Sequence, residues 1–448
     1  MRTDLRLALL LTRGSDRREW WRITLTAVGA GLATGFGLAA VAVASLRGQH
    51  HLSIGNGLLD RPGERSGIVL TLLLLLIPVL GFLGQCARIG AVHRDRRLAG
   101  LRLAGASPAQ VRRIAALEAG LTCLVGSAVA TVFSALLLLV EWPRPPVTVW
   151  AGFAVIAVAV PLLGALVSTL ALRRVVASPL GWVRRTRPST GRGPGTAFLM
   201  AAPVILFVGL VMAPDDFGGF GTAPPLVLGV VIVTGAGAVR VTGATARLTG
   251  RRLAARTGDP ATLIAAERLR DDPWAAARTH AAVLLVTVVG TGFIGVRQVL
   301  LDTLHTRGPE MMALDMSFYT TGVDLTGAAI LVAVAITLSG LAVGTAESLA
   351  TRRRGLAAQA AAGVPHAVLG RALLLETALP LAPAVALAGA GGMAISVWYA
   401  VLADGDGGSV PLLPLLVPVA VYAACLLAAA TSLPLLRRSV HPAELRYA

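Results

Sequence analysis

Residues 96–140 read RRLAGLRLAGASPAQVRRIAALEAGLTCLVGSAVATVFSALLLLV. Two regimes meet in this stretch. Up to Arg113 it is basic and punctuated by Gly105, Ser107 and Pro108, whereas after Glu118 it carries no charge as far as Val140. An uncharged apolar run of this size matches the roughly 20 residues needed to cross a hydrocarbon core about 30 Å thick. The same alternation recurs along the chain, with apolar runs near 23–46, 67–87, 117–140, 147–171, 196–213, 224–243, 279–296, 325–346, 374–402 and 411–435. It predicts an all-α, polytopic helical membrane protein with about ten transmembrane helices.

Composition excludes the main alternatives. The 448 residues are 55% hydrophobic and only 14% charged, with a mean hydropathy of +0.74. A soluble domain of this size needs more charge to cover its surface. The net charge is +17, and every basic side chain other than histidine is arginine. Without lysine the chain cannot build a P-loop, so neither ATP nor another cofactor is expected on it. The arginines lie between apolar runs rather than in a separate basic domain, which argues against nucleic acid and for anionic lipid headgroups as counter-charge. Cys86, Cys123 and Cys425 all fall in apolar runs with no CxxC spacing, so they read as small core residues. His50, His51, Asp302 and His305 lack metal-ligand spacing and read as solvated loop residues.

The arginines also set orientation. They crowd into the connections 88–113, 173–192, 247–278 and 352–371 and the tail 437–446, and are sparse in 47–66, 141–146, 214–223, 297–324 and 404–409. The positive-inside rule places the first set, and both termini, in the cytoplasm. Arg240 is the awkward residue, since it would have to snorkel from the sixth span to the inner face. Residues 3–20 read as an amphipathic helix on the inner leaflet, with Trp20 and Trp21 at headgroup level. No charge falls deep in a span, and Gln85, Glu118 and Glu376 are expected near hydrated membrane ends; this weighs against an ion-driven transporter.

Residues 354–376, RGLAAQAAAGVPHAVLGRALLLE, align without a gap on 96–118. Arg354 then pairs with Arg96, Leu356 with Leu98, Gly363 with Gly105, Leu375 with Leu117 and Glu376 with Glu118. Both segments lie between long apolar runs on the arginine-rich side. An internal duplication follows: 1–176 as an N-terminal repeat (amphipathic helix plus four spans), 177–256 as a linker with two spans, and 257–448 as a second four-span repeat. In the first copy Gly105 takes the left-handed conformation that ends a helix, and Ser107, Pro108 and Gln110 follow as N-cap, N1 and N3 of the next. Val111, Ile114 and Ala115 share one face, with Arg112 and Arg113 pointing elsewhere. A short, separate helix set at an angle to the membrane is expected there. The second copy keeps Gly363 and Pro365 but lacks the serine cap.

These residues resemble the signature of the FtsX-like (MacB-type) permease family of ABC transporters, in its ten-span duplicated form. There, a basic loop containing Gly, Ala and Ser leads into a span with a glutamate near its start. His441 to Arg446 also resembles the family's C-terminal end. The resemblance implies two coupling elements that dock on a separate ABC-type ATPase, a dimer in its working form. In this chain the first would use Gly105, Ser107, Pro108, Gln110, Arg112, Arg113 and Glu118, and the second Arg354, Gly363, Pro365, His366, Arg371 and Glu376. It also implies a multi-pass protein of the bacterial plasma membrane, relaying ATP-driven motion outward to export, extract or act on a substrate. An extracytoplasmic protein or peptide partner is compatible with this. Family members usually carry a large extracytoplasmic domain, for which 47–66 and 297–324 are too short, so substrate class does not carry over. The alternative reading is a non-transporting transmembrane scaffold or signalling protein.

Overall fold

A computed structural model describes residues 17–46, 59–60, 62–86, 100–171, 223–307, 315–404 and 410–439. All regular structure among them is helical, and the chain divides into two compact units, Met1–Arg187 and Pro188–Ala448. The first unit holds α1 (Arg17–Ala44), α2 (Pro62–Cys86), α3 (Pro108–Glu141) and α4 (Val147–Ala171). The second holds α5 (Ala223–Arg256), α6 (Pro260–Asp271), α7 (Trp274–Arg307), α8 (Met316–Thr351), α9 (Arg353–Ala361) and α10 (His366–Asp404). A 3-10 turn (Leu413–Leu415), α11 (Leu416–Ala430) and α12 (Leu433–Ser439) complete it.

Eight stretches among the described residues are long and apolar enough to cross a membrane, and α2 lies over the expected second span. The expected span at 196–213, most of the N-terminal amphipathic helix, the arginine connections 88–97 and 173–192, and the C-terminal HPAELR lie outside the described residues. The surface fits a lipid environment. On α3, Val129, Val132, Phe133 and Val140 are each more than 60% exposed, and Val155, Val158 and Leu162 continue this on α4. Such a large contiguous apolar face is stable only against hydrocarbon or a partner. All three cysteines are buried and unbonded.

In the first unit α1 packs against α2, α3 and α4, and α3 packs against α4. In the second, α7 packs against α8, α10 and α11, and α10 packs against α11. Both central pairs rely on small residues. A side chain at Gly126 on α3 would collide with the Ala27 carbonyl on α1, and one at Gly392 on α10 would collide with Thr291 and the Val288 carbonyl on α7. Helices in lipid gain no hydrophobic term from association, so close backbone approach and its van der Waals contact hold such pairs together.

Several expectations change. The segment after Gly105 is not a separate short helix: α3 runs unbroken for 34 residues from Pro108 to Glu141. Likewise α10 runs 39 residues from His366, through Pro380 and Pro383. Nothing between Gln110 and Leu117 breaks a helix, so the cap starts the span itself. A short helix does occur in the second copy, but before the glycine, as α9. The expected outer loop 297–324 is helical at 297–307 and 316–324, with Arg297 and Asp324 3.6 Å apart. Polarity marks where a helix leaves lipid, not where it ends. His305, on that α7 extension, has Nδ1 2.6 Å from the Leu301 carbonyl. For the same reason 247–278 is the end of α5, then α6, then the start of α7. Helix α5 packs along α7, α10 and α6 within the second unit.

Candidate coupling turns and their glutamate anchors

The chain turns sharply at two glycines of matching geometry. Gly105 has φ +94° and Gly363 φ +90°, the left-handed region that glycine enters without steric cost. At the first, the Gly105 amide donates to the Arg102 carbonyl at 3.1 Å and the Ala106 amide to Leu101 at 2.9 Å. At the second, Gly363 donates to Ala360 at 2.9 Å and Val364 to Gln359 at 3.1 Å. This is the Schellman pattern in both places. Its usual apolar contact is present too: Leu101 and Ala106 pack on Val111 and Ala115, and Ala360 and Val364 pack around Leu369 and Leu373.

The next helix starts differently in the two copies. Ser107 Oγ accepts from the Gln110 amide at 3.2 Å, and Gln110 Oε1 accepts from the Ser107 amide at 2.8 Å, a complete capping box. In the second copy the Pro365 carbonyl accepts from Val368 and Leu369, with no side-chain cap of that kind. Val111, Ile114 and Ala115 are buried while Arg112 and Arg113 are exposed, as the helical spacing required.

The two glutamates differ, and Glu118 departs from expectation. Glu118 is not hydrated: its side chain is 5% exposed and accepts from Arg22 Nη2 on α1, itself 8% exposed. Trp20 and Trp21, next to Arg22, are both exposed, the belt position of indoles at a membrane surface. Glu376 is a hub. Its Oε1 accepts from Arg268 on α6 at 2.7 Å and its Oε2 from Arg352, between α8 and α9, at 3.0 Å. Arg268 also reaches Gln359 on α9 at 3.5 Å. Arg371, one of the anticipated coupling residues, lies 3.8 Å from Asp259, the N-cap of α6. Hydrogen bonds from the Thr262 hydroxyl and amide hold the Asp259 carboxyl below its ordinary range, with Arg371 adding attraction.

An apolar knot underlies this network. Leu349, Leu356, Leu369, Leu373 and Leu436 form one buried cluster, and Ala261, Ala265 and Ala372 seat α6 on α10. Helices α6, α9 and α12 are thereby fixed to the base of α10. Sequence reasoning missed Arg22, Arg268, Arg352 and Asp259, because a charge partner on another helix leaves no spacing signal. It also missed Leu103, 70% exposed beside Gly105. At the two tips, Ala104, Gly105, Ser107 and Gln110 are exposed in the first copy, and Ala362, Gly363, Pro365 and His366 in the second. Among the second set of anticipated residues, Glu376 and Arg371 face their own unit's α6, while Arg354 is exposed on α9.

Residues 68–180 match the family described as FtsX-like permease C-terminal. No curated protein matches the chain. The matched segment runs from within α2 through the Gly105 turn to α3 and α4, and so contains the first turn and Glu118. The chain is a multi-pass helical membrane protein whose residues 68–180 are similar to the FtsX-like permease family.

Proposed function

We propose that the chain is the permease subunit of an ABC transporter, internally duplicated, and that a separate ABC-type ATPase docks on the turns at Gly105 and Gly363. ATP hydrolysis then takes place on the partner, and the arginine-rich side with both termini faces the cytoplasm. Support comes from the family match and from two Schellman turns in the same register before a glutamate. FtsX-like permeases work in general with an ABC ATPase. The observation that carries the reading is that each exposed tip leads without a break into a spanning helix. At 1.5 Å per residue α3 is about 50 Å long and α10 about 58 Å. A push on either tip reaches the opposite membrane face through a single rod. The glutamate pairs tie each rod to its neighbours, so the whole unit shifts together. Export, extraction or outward transmission of force are the outcomes such a device serves.

The test is association of the full chain with a co-expressed ABC-type ATPase, and stimulation of that ATPase. Leu103→Asp and Ala361→Asp alter exposed tip residues and spare the packed core. Loss of an interface anchor typically costs 2 kcal/mol or more, about 30-fold in affinity. Unchanged association in both variants would remove the docking assignment.

A further inference from the structure

Five arginines lie on the C-terminal half of α5: Arg240, Arg247, Arg251, Arg252 and Arg256, all exposed. None of them makes an ion pair or hydrogen bond within the described residues, in contrast to Arg22, Arg268, Arg270, Arg352 and Arg371. Arg240, Ala244, Arg247 and Arg251 follow helical spacing and form one stripe. Two turns earlier the same stripe carries Val233, 68% exposed within the apolar part of the helix. Valine suits hydrocarbon better than an aqueous lining, so the stripe reads as the continuation of a lipid-facing line.

Depth agrees with this. From Ala223 to Arg240 the helix rises about 25 Å, to Arg247 about 36 Å and to Arg251 about 42 Å. With the outer edge of the hydrocarbon set at Ala223, where the apolar sequence of α5 begins, a core about 30 Å thick ends between Arg240 and Arg247, and the headgroup layer extends several ångströms further. Arg240 therefore reaches phosphates by snorkelling, Arg247 lies among them, and Arg251 caps the layer from the water side. An independent marker is Trp274: a side chain at Gly243 would run into its ring, which puts an indole beside the stripe at the depth indoles favour.

We propose that the Arg240–Arg247–Arg251 stripe binds anionic phospholipid headgroups, in the cytoplasmic leaflet under the orientation proposed above. Guanidinium groups suit phosphate through paired hydrogen bonds. A soluble acidic protein could reach Arg251 but not Arg240 on a lipid-facing stripe. The site adjoins the base of α10, where Thr245 on α5 donates to the Pro380 carbonyl at 3.5 Å.

The full chain, reconstituted in phosphatidylcholine nanodiscs containing a minority of phosphatidylglycerol, is extracted and its retained lipid counted by mass spectrometry. The wild type is expected to enrich phosphatidylglycerol. Arg240→Gln/Arg247→Gln/Arg251→Gln is expected to lose about fivefold of that preference per arginine, with phosphatidylcholine unchanged. Arg251→Gln alone, outside the hydrocarbon, guards against a triple variant that fails to insert, and should lose about fivefold. No enrichment by the wild type, or equal enrichment in Arg251→Gln and an inserted triple variant, overturns the proposal. So does loss of a bound acidic protein with lipid retention unchanged, which would assign the stripe to that protein instead.

Discussion

Glu118 on α3 and Glu376 on α10 follow a positive-φ glycine at the same register, and each is held by arginine from another segment of its own unit. Arg22 and Glu118 are both almost wholly buried, so each depends on the other to offset desolvation. Glu118→Ala strands a buried guanidinium and is expected to destabilise the chain by about 3 kcal/mol. Arg22→Met with Glu118→Leu removes both charges and should recover most of that. Thermal unfolding in detergent measures both. A single variant as stable as the wild type would show that the pair does not hold α1 to α3.

Glu376 makes two ion pairs but is partly hydrated, and Arg352 is 38% exposed, so each contact is worth less. Glu376→Gln is expected to cost about 1–2 kcal/mol. Its local effect should exceed its global one, because Arg352 and Arg268 tether α9 and α6 to α10. Hydrogen exchange in Arg353–Ala361 is expected to accelerate while the centre of α10 stays protected. A double-mutant cycle with Arg352→Gln isolates the pair, and a coupling near zero would reduce it to a chance surface contact.

The membrane class, nearly all the spans and the Gly105 cap were legible, because each is written locally: apolar length, a Gly–Ser–Pro run, helical spacing at Val111, Ile114 and Ala115. Tertiary partners were not. Nothing adjacent to Glu118 points to Arg22 almost a hundred residues earlier, and locally hydration is the cheaper solution for a lone carboxylate. Helix ends were misplaced for another reason. Charge reports where a helix enters water, whereas α7 runs on to Arg307, well past Arg297, and α8 already starts at Met316, before Asp324. The expected angled helix failed because a cap states where a helix begins and says nothing about where it stops.

Gly105 and Gly363 supply a clean test of the turns. A Cβ at either would meet nothing within 4 Å, so substitution costs only backbone strain. Gly105→Ala and Gly363→Ala are each expected to lose about 1–2 kcal/mol. Asparagine, which tolerates the left-handed region better, should lose less at both sites. The order Gly, Asn, Ala in unfolding temperature is the signature. Equal stability for all three would mean that the turns relax without cost.

Asp259 predicts an acid dependence confined to α6. Its carboxylate accepts from the Thr262 hydroxyl and amide, which lowers its pKa in the folded chain. A depressed carboxylate stabilises fully above its unfolded value, about 3.9, and that contribution is lost as pH falls through the lower folded value. Exchange protection of α6 should therefore be flat from neutral pH to about 4 and decline below it. Asp259→Asn keeps a capping oxygen without a titrating proton, so it should lose this decline, while Asp259→Ala should lose protection at every pH. Other carboxylates are common to the wild type and Asp259→Asn and cancel in the difference between them. If the two proteins fall in parallel below pH 4, Asp259 does not supply the acid-sensitive cap.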